Sequence, residues 1–138
     1  MNLVPRRHHV VLSREYDGST PTLRAARTDV VWCLSERGVN QDLQERAELV
    51  LSELASNAVQ AAPGNPFRLH LALSGDGELV LAVTSHTHNG EPPPRREWGP
   101  VNVLAPSGRG LMIVDHLAER VDVERLAVDK VVVRATLR

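Results

Sequence analysis

The sequence is short of the features that mark secreted, membrane-spanning or nucleic-acid-binding proteins. Cys33 is the single cysteine, so no disulfide can form within the chain, and a reducing cytoplasm is favoured. No apolar run approaches the roughly 18 residues that a membrane-spanning helix needs. Arg6, Arg7, His8 and His9 interrupt the start of the chain, which therefore lacks a signal-peptide core. A formal net charge of −1 argues against binding nucleic acid through a general positive field. These absences predict a cytoplasmic protein with no membrane segment and no direct contact with nucleic acid.

The composition is otherwise that of an ordinary globular protein. The chain has 138 residues, of which 42% are hydrophobic and 24% charged. This length is enough to bury a core, and it predicts one domain that spans residues 1–138.

The first half of the chain shows helical periodicity after a short apolar stretch at 10–12, a candidate edge strand. Ser19 or Thr20 can cap a helix that stops near Gly38. A second helix is predicted from Gln41 and Asp42 to about Ala62. Its apolar stripe is wide and consists of Leu43, Ala47, Val50, Leu51, Leu54, Ala55 and Ala58.

The second half alternates between strand patterns and one helix. Residues 67–74 alternate apolar and polar side chains, and residues 78–84 are apolar on both faces, which favours a central strand. A short helix is predicted over 110–120, between that strand and two final strands at 121–125 and 130–137. Consecutive hairpins favour an α+β two-layer sandwich, in which about three helices cover one face of a mixed, mostly antiparallel sheet.

The segment 86–107 is long and shows no convincing regular element because five prolines interrupt it. Loops of this length in a compact domain are usually functional or disordered. A lid over a ligand and a passive surface loop are both compatible with this segment.

Two features point to a nucleotide site. Glu53 and Asn57 are four residues apart in the second helix, so a carboxylate and an amide share one face. The glycine-rich turn at 107–111 opens the next helix and directs unpaired N–H groups and a positive dipole end toward a ligand. A carboxylate base, an amide able to hold Mg²⁺ and a phosphate cradle together predict a nucleotide site.

At these residues the sequence resembles a known family. The run Glu53-Leu54-Ala55-Ser56-Asn57-Ala58 resembles the N-box of the GHKL (Bergerat-fold) ATPases, and Ser107-Gly108-Arg109-Gly110-Leu111 resembles their second glycine box. The chain is most similar to the small anti-sigma-factor serine kinases and related ATP-binding regulators of actinobacterial type. The similarity covers about Thr20 to Leu137, including the order of elements and the long loop, which would be the ATP lid.

The resemblance implies ATP and Mg²⁺ as cofactors and a role for each matching residue. Asn57 would help to coordinate Mg²⁺. Glu53 would orient or deprotonate the attacking water or serine hydroxyl. Gly108 and Gly110 would let the backbone approach the phosphates, and Arg109 would add a charged contact there, within the box formed by Ser107, Gly108, Arg109, Gly110 and Leu111.

The sequence departs from the family pattern at the adenine end. Ser85 stands where the family has an aspartate that accepts a hydrogen bond from the adenine amino group, and Thr87 replaces the first glycine of that box. A neutral hydroxyl is a weaker acceptor than a carboxylate. Loss of the charge-assisted bond would cost on the order of 1–3 kcal/mol, at least a tenfold drop in affinity.

The resemblance leaves several functions open. The first is an anti-sigma-factor-type regulator that acts by partner switching with a sigma factor and an anti-anti-sigma protein; homodimers are common in the resembling family. The second is an active ATP-dependent serine/threonine kinase that phosphorylates the anti-anti-sigma factor. The third is a nucleotide-independent protein-binding module, which Ser85 favours. The catalytic domain of a sensor histidine kinase is disfavoured because the chain has no dimerisation helix pair with a phospho-accepting histidine.

Other polar residues carry weaker predictions. His86 and His88 have a spacing that could bind a transition metal, but no Cys or acidic cluster lies near them in sequence. His8 and His9 are expected in a solvated N-terminal segment. Cys33 lies on the apolar side of the first predicted helix and is expected to be buried and inert.

Overall fold

The structure, a computed structural model, describes residues 7–86 and 106–138, with backbone alone at 106–111. The described chain forms a two-layer α+β sandwich, as predicted. Its elements in chain order are β1 (His8–Tyr16), α1 (Thr20–Glu36), α2 (Gln41–Ala61), β2 (Phe67–Ser74), β3 (Leu79–His86), α3 (Pro106–Leu117), β4 (Arg120–Ala127) and β5 (Lys130–Leu137).

The five described strands form one sheet in the order β1-β2-β3-β5-β4. The prediction of a central β3 is confirmed, because β3 is flanked by β2 and β5, and β1 lies at an edge as expected. All four pairings among the described strands are antiparallel. The sheet of the described residues is therefore antiparallel throughout, not mixed as predicted.

Local sequence explains where α1 and α2 begin and end. Ser19 caps α1, and the side chain of Asn40 accepts a hydrogen bond of 2.9 Å from the backbone N–H of Leu43 at the start of α2. Gly38, in the left-handed region with φ of 70°, terminates α1. The connection between the two helices spans residues 37–40 only, so they pack side by side as antiparallel neighbours.

The helices cover one face of the sheet and enclose the core. Buried strand residues of the core cluster recur at every second position, for example Leu79, Leu81 and Val83, which places them on a single face. α1 packs near β1 and α3 near β4, at opposite edges of the sheet, so α2 lies between them. The whole apolar stripe predicted for α2 is buried.

Tyr16 docks α1 onto the sheet. Its hydroxyl donates a hydrogen bond of 2.7 Å to Asp29 Oδ2 of α1, and its ring stacks on Phe67 with centroids 5.4 Å apart. The pKa of Tyr16 is raised, mainly because the hydroxyl is buried and secondly because it donates a hydrogen bond to Asp29.

Three sequence-based predictions are corrected. β3 extends to His86 rather than ending at Thr84, because Ser85 and His86 keep pairing with β5. α3 begins at Pro106 and ends at Leu117 rather than spanning 110–120; a proline is well suited to a helical first turn because it needs no N–H acceptor. His8 is buried at the start of β1 rather than solvated, and its Nε2 lies 3.0 Å from Glu78 Oε1.

Candidate functional site

Glu53 and Asn57 lie on the flank of α2 that faces away from α1. The opposite flank presents Ser52, Ala55 and Ser56 to α1, where they line a cavity of about 100 Å³ together with Thr20, Leu23 and Arg27. Each residue turns an α-helix by about 100°, so Glu53 and Asn57 point away from that cavity. Both side chains are partly exposed. Because α1 and α3 lie on opposite sides of α2, this flank lies on the side of α3.

The two residues lie toward the end of the sheet where β3 finishes. Arg46 Nη2, near the start of α2, donates a hydrogen bond of 2.7 Å to the carbonyl oxygen of Arg138. Arg138 follows Leu137, which pairs with Leu79 at the beginning of β3. The first half of α2 therefore lies over the start of β3, and its second half extends toward the end of β3.

Ser85 is placed to reach the same region. It belongs to β3 and shares the helix-facing side with Leu81 and Val83, so its side chain points into the helix layer, where the residue is only 9% exposed. Within the described ranges its hydroxyl has no hydrogen-bond partner. A buried hydroxyl in this position is available to accept a hydrogen bond from a ligand.

The first turn of α3 completes the arrangement. Glu119, just after α3, donates its N–H to the carbonyl of Thr136 at 2.8 Å, at the end of the sheet where β3 begins. α3 therefore starts near the opposite end, on the side of Asn57 and Ser85. The N–H groups of Ser107 and Gly108 have no acceptor within the helix, because the first turn of an α-helix lacks such acceptors, and Pro106 at its start has no N–H to donate. The positive end of the helix dipole is at this terminus.

The glycine box is thus part of α3 rather than a turn before it. The helix contains all five residues of the box: Ser107, Gly108, Arg109, Gly110 and Leu111. Their described contribution to the site is the backbone. The free donors expected of the box are still present, since they belong to the first helical turn. Of the segment 86–107 that is predicted as a lid, His86 belongs to β3 and residues 106–107 to α3, and residues 87–105, with Thr87 among them, lie outside the described residues.

The residues at this end of the sheet fit a magnesium nucleotide in chemical type. Mg²⁺ prefers oxygen ligands and keeps several waters, so one amide oxygen from Asn57 is a suitable protein contribution. Orphan N–H groups at a helix start suit phosphate oxygens. The hydroxyl of Ser85 suits an exocyclic amino group, although without the charge of a carboxylate.

The structure describes only part of the competing sites. Within 7–86 and 112–138, no group of three His, Cys, Asp or Glu side chains could hold a metal ion. His86 Nδ1 lies 4.0 Å from Asp129 Oδ2, and His88 lies outside the described residues. Cys33 is buried as predicted, and burial raises the pKa of its thiol. None of the helices in the described part is long and apolar enough to cross a membrane.

One exposed aromatic side chain on α1 was not predicted. Trp32 of α1 follows directly on the apolar residue Val31 and precedes the buried Cys33, yet it is 60% exposed. Its position is out of phase with the buried residues Ala26, Val30 and Leu34, which follow each other at four-residue spacing. That phase difference was a signal in the sequence that Trp32 faces outward.

Comparison with solved structures confirms the Bergerat-type fold. The chain is similar to the RsbU and RsbW domains of a Mycobacterium tuberculosis protein, with a TM-score of 0.69 and 19% identity over 92% of this chain and 32% of that one. It spans about a third of that protein chain. It is also similar to the SiaB–SiaC complex of Pseudomonas aeruginosa, with a TM-score of 0.74 and 12% identity over 93% of this chain and 89% of that one. At these identities the likeness concerns the fold.

No curated protein sequence matches the chain. The model of the histidine kinase-like ATPase domain matches residues 19–137, nearly the whole described chain. Members of this family generally bind ATP with Mg²⁺. The chain therefore belongs to the histidine kinase-like ATPase domain family.

Proposed function

We propose that this protein is an anti-sigma-factor-type regulator that binds ATP with Mg²⁺ and acts by partner switching. The observation that carries the proposal is the placement of four features toward one end of the sheet: Glu53, Asn57, Ser85 and the first turn of α3. These features lie on three separate elements, and each supplies a different part of a nucleotide site. Family membership makes ATP the expected ligand.

Each residue has a distinct role in the proposal. Asn57 contributes its amide oxygen to Mg²⁺, and the N–H groups of Ser107 and Gly108 receive the phosphates, beside the charged contact expected of Arg109. Ser85 accepts a hydrogen bond from the adenine amino group. Glu53 is the base that orients or deprotonates an attacking hydroxyl. The bound nucleotide would supply a transferable phosphoryl group. Residues 87–105 of the predicted segment 86–107 are proposed as the lid, since His86 belongs to β3 and residues 106–107 belong to α3.

The proposed partners are a sigma factor and an anti-anti-sigma protein. The structural neighbours support a protein partner, since one is a complex of SiaB with SiaC and the other contains RsbU and RsbW domains. In a partner-switching cycle, phosphorylation of a serine on the competing protein would reset the system. Kinase activity toward such a serine is the enzymatic form of the proposal.

Ser85 favours a second candidate, a protein-binding module that does not depend on nucleotide. A serine at this position replaces a charge-assisted hydrogen bond by a neutral one, which costs on the order of 1–3 kcal/mol of binding free energy. In this second candidate the fold serves as a docking surface and the site has lost its ligand.

Calorimetric titration with Mg-ATP and Mg-ADP separates the two candidates. The expected result is micromolar binding that is lost in Asn57→Ala and strengthened at least about tenfold in Ser85→Asp. Absence of binding by the native protein with recovery in Ser85→Asp would establish the second candidate. Absence of binding in both would remove the nucleotide site from the proposal.

The enzymatic form is tested with Glu53→Gln, which keeps the size of the side chain and removes the base. We expect this variant to bind Mg-ATP as the native protein does, while ADP formation falls by about 10²-fold or more. Equal rates of ADP formation in both proteins would show that Glu53 is not the base.

A further inference from the structure

An open groove runs along the outer surface of the helix layer, on the flank of α2 that faces α1 and not on the flank of Glu53 and Asn57. It has a volume of about 700 Å³, and Glu48 of α2 forms part of its second wall. The other wall is formed by α1 residues at three- and four-residue spacing, which lie on one face of the helix. These residues are Arg24, Arg27, Thr28, Val31, Trp32 and Ser35. At 1.5 Å per residue this face is about 16 Å long, which equals three turns of a helix.

The middle of the groove is apolar and exposed. Val31 and Trp32 are its apolar lining residues, and Trp32 is 60% exposed. An aromatic side chain of this size normally buries its surface, because each Å² of apolar area removed from water is favourable. Tryptophan and arginine are also the residues that most often dominate the binding energy of protein interfaces.

Two arginines line the groove as well. Arg24 and Arg27 form no ion pair with any described residue, and neither does the carboxylate of Glu48. Seven other described arginines do contact a carboxylate, namely Arg7, Arg14, Arg46, Arg68, Arg120, Arg134 and Arg138. Most arginines in the described part of the chain thus contact a carboxylate, whereas Arg24 and Arg27 in the groove contact none among the described residues.

We infer that this groove binds an amphipathic helix of a partner protein, with carboxylates opposite Arg24 and Arg27 and an apolar side chain against Trp32. A helix laid in a groove presents residues at three- and four-residue spacing, which matches the spacing of the α1 wall. Charge complementarity identifies the partner helix as acidic, since the groove offers two cations and one carboxylate. The inference rests on the proposed function only in requiring a protein partner, and it does not require nucleotide binding.

The test is a selection of displayed helical peptides of about 15 residues, long enough for four turns, against the purified protein. We expect enrichment of acidic peptides with apolar residues at three- and four-residue spacing. Calorimetry on the enriched peptides should show a loss of at least about tenfold in affinity in Trp32→Ser and in Arg24→Glu. Both side chains are exposed, so neither substitution should disturb folding, which circular dichroism verifies.

Matched controls replace an exposed apolar side chain by serine and reverse the charge of an arginine at sites outside the groove. Val128→Ser is the control for Trp32→Ser, because Val128 is an apolar residue that is 88% exposed at the turn between β4 and β5. Arg68→Glu on β2 is the control for Arg24→Glu. Both should leave peptide affinity within about twofold. Trp98→Phe leaves Trp32 as the single tryptophan, and peptide binding should then shift its emission to shorter wavelength.

Three outcomes would overturn the inference. The selection could enrich no acidic helix, or the enriched peptides could bind Trp32→Ser and Arg24→Glu as tightly as the native protein. Analytical ultracentrifugation could also show self-association of the native protein that Trp32→Ser abolishes, in which case a second copy of the chain covers the groove. Mg-ATP titration of Trp32→Ser keeps the two proposals separate, because it should match that of the native protein whatever the peptide result.

Discussion

Gly18 joins two turns that the sequence places far apart. It lies between β1 and α1 with φ of 82°, and a Cβ added there would stand 2.8 Å from the backbone oxygen of Asn65, in the turn between α2 and β2. Two constraints therefore act on one residue: a left-handed backbone conformation and a close approach of another backbone segment. Both turns lie near the C-terminal end of α2, the end that carries Glu53 and Asn57.

Gly18→Ala is expected to destabilise the protein by about 2 kcal/mol or more, since a left-handed residue with a Cβ costs about 1–2 kcal/mol before any steric shift. Urea unfolding followed by circular dichroism measures this. Gly38→Ala is the matched control, because Gly38 has φ of 70° but nothing within 4 Å of an added Cβ. Equal losses in the two variants would mean that the contact with Asn65 adds no cost.

At the scale of elements, α2 is the centre of the molecule. It packs against the sheet, against α1 on one flank and against α3 on the other. Its buried stripe was predicted completely from the sequence because a helix of 21 residues repeats the apolar period many times. The start of α3 was not predicted, because a short helix that opens with Pro106 and contains two glycines has weak local signals.

Leu51 and Leu49 lie two residues apart on α2. Replacing each by alanine tests how much the burial of α2 side chains contributes to the stability of the protein. Leu51 is fully buried and Leu49 is 52% exposed. Leu51→Ala should lower the free energy of unfolding by about 3 kcal/mol through lost burial and a residual cavity, and Leu49→Ala by less than about 0.5 kcal/mol. Chemical denaturation of both variants measures the difference. Similar losses would contradict the placement of α2 against the sheet.

For the whole molecule, a cluster of charges ties several strands together at the end of the sheet opposite the nucleotide end. Glu78 is buried just before β3, with Oε1 3.0 Å from Arg7 Nη2 and Oε2 3.0 Å from Arg138 Nη2. His8 of β1 also contacts Oε1. Arg138 lies within 3.7 Å of Glu119 and 3.5 Å of Asp76 as well. The cluster thus connects β1, the turn between β2 and β3, the end of β5 and the residue before β4.

Burial by itself raises the pKa of Glu78, but the hydrogen bond and charge of Arg7 and the charge of Arg138 outweigh it and hold the pKa below the usual 4.5. A carboxylate whose pKa is lower in the folded than in the unfolded protein stabilises the fold at pH values above the unfolded pKa. That contribution is lost as the pH falls through the folded value.

Glu78→Gln should therefore lower the free energy of unfolding by about 2 kcal/mol near pH 7, a typical value for hydrogen bonds to a charged group. The difference from the native protein should shrink once the pH falls below 4.5. Urea unfolding at several pH values measures it. Asp122→Asn is the control, since Asp122 and Arg120 form an exposed pair at 3.8 Å worth at most about 1 kcal/mol. A difference for Glu78→Gln that stays constant with pH would contradict the role of the carboxylate.

The sequence by itself determined the type and order of the described elements, the buried stripe of α2 and the central position of β3, because these depend on local periodicity. Tertiary structure decided which flank of α2 lies on the side of α3, that Ser85 points into the helix layer, that His8 is buried against Glu78, and that Trp32 and Arg24 line an open groove. Each of these depends on where distant segments of the chain come to lie. A pattern within one segment carries no information about its neighbours in space.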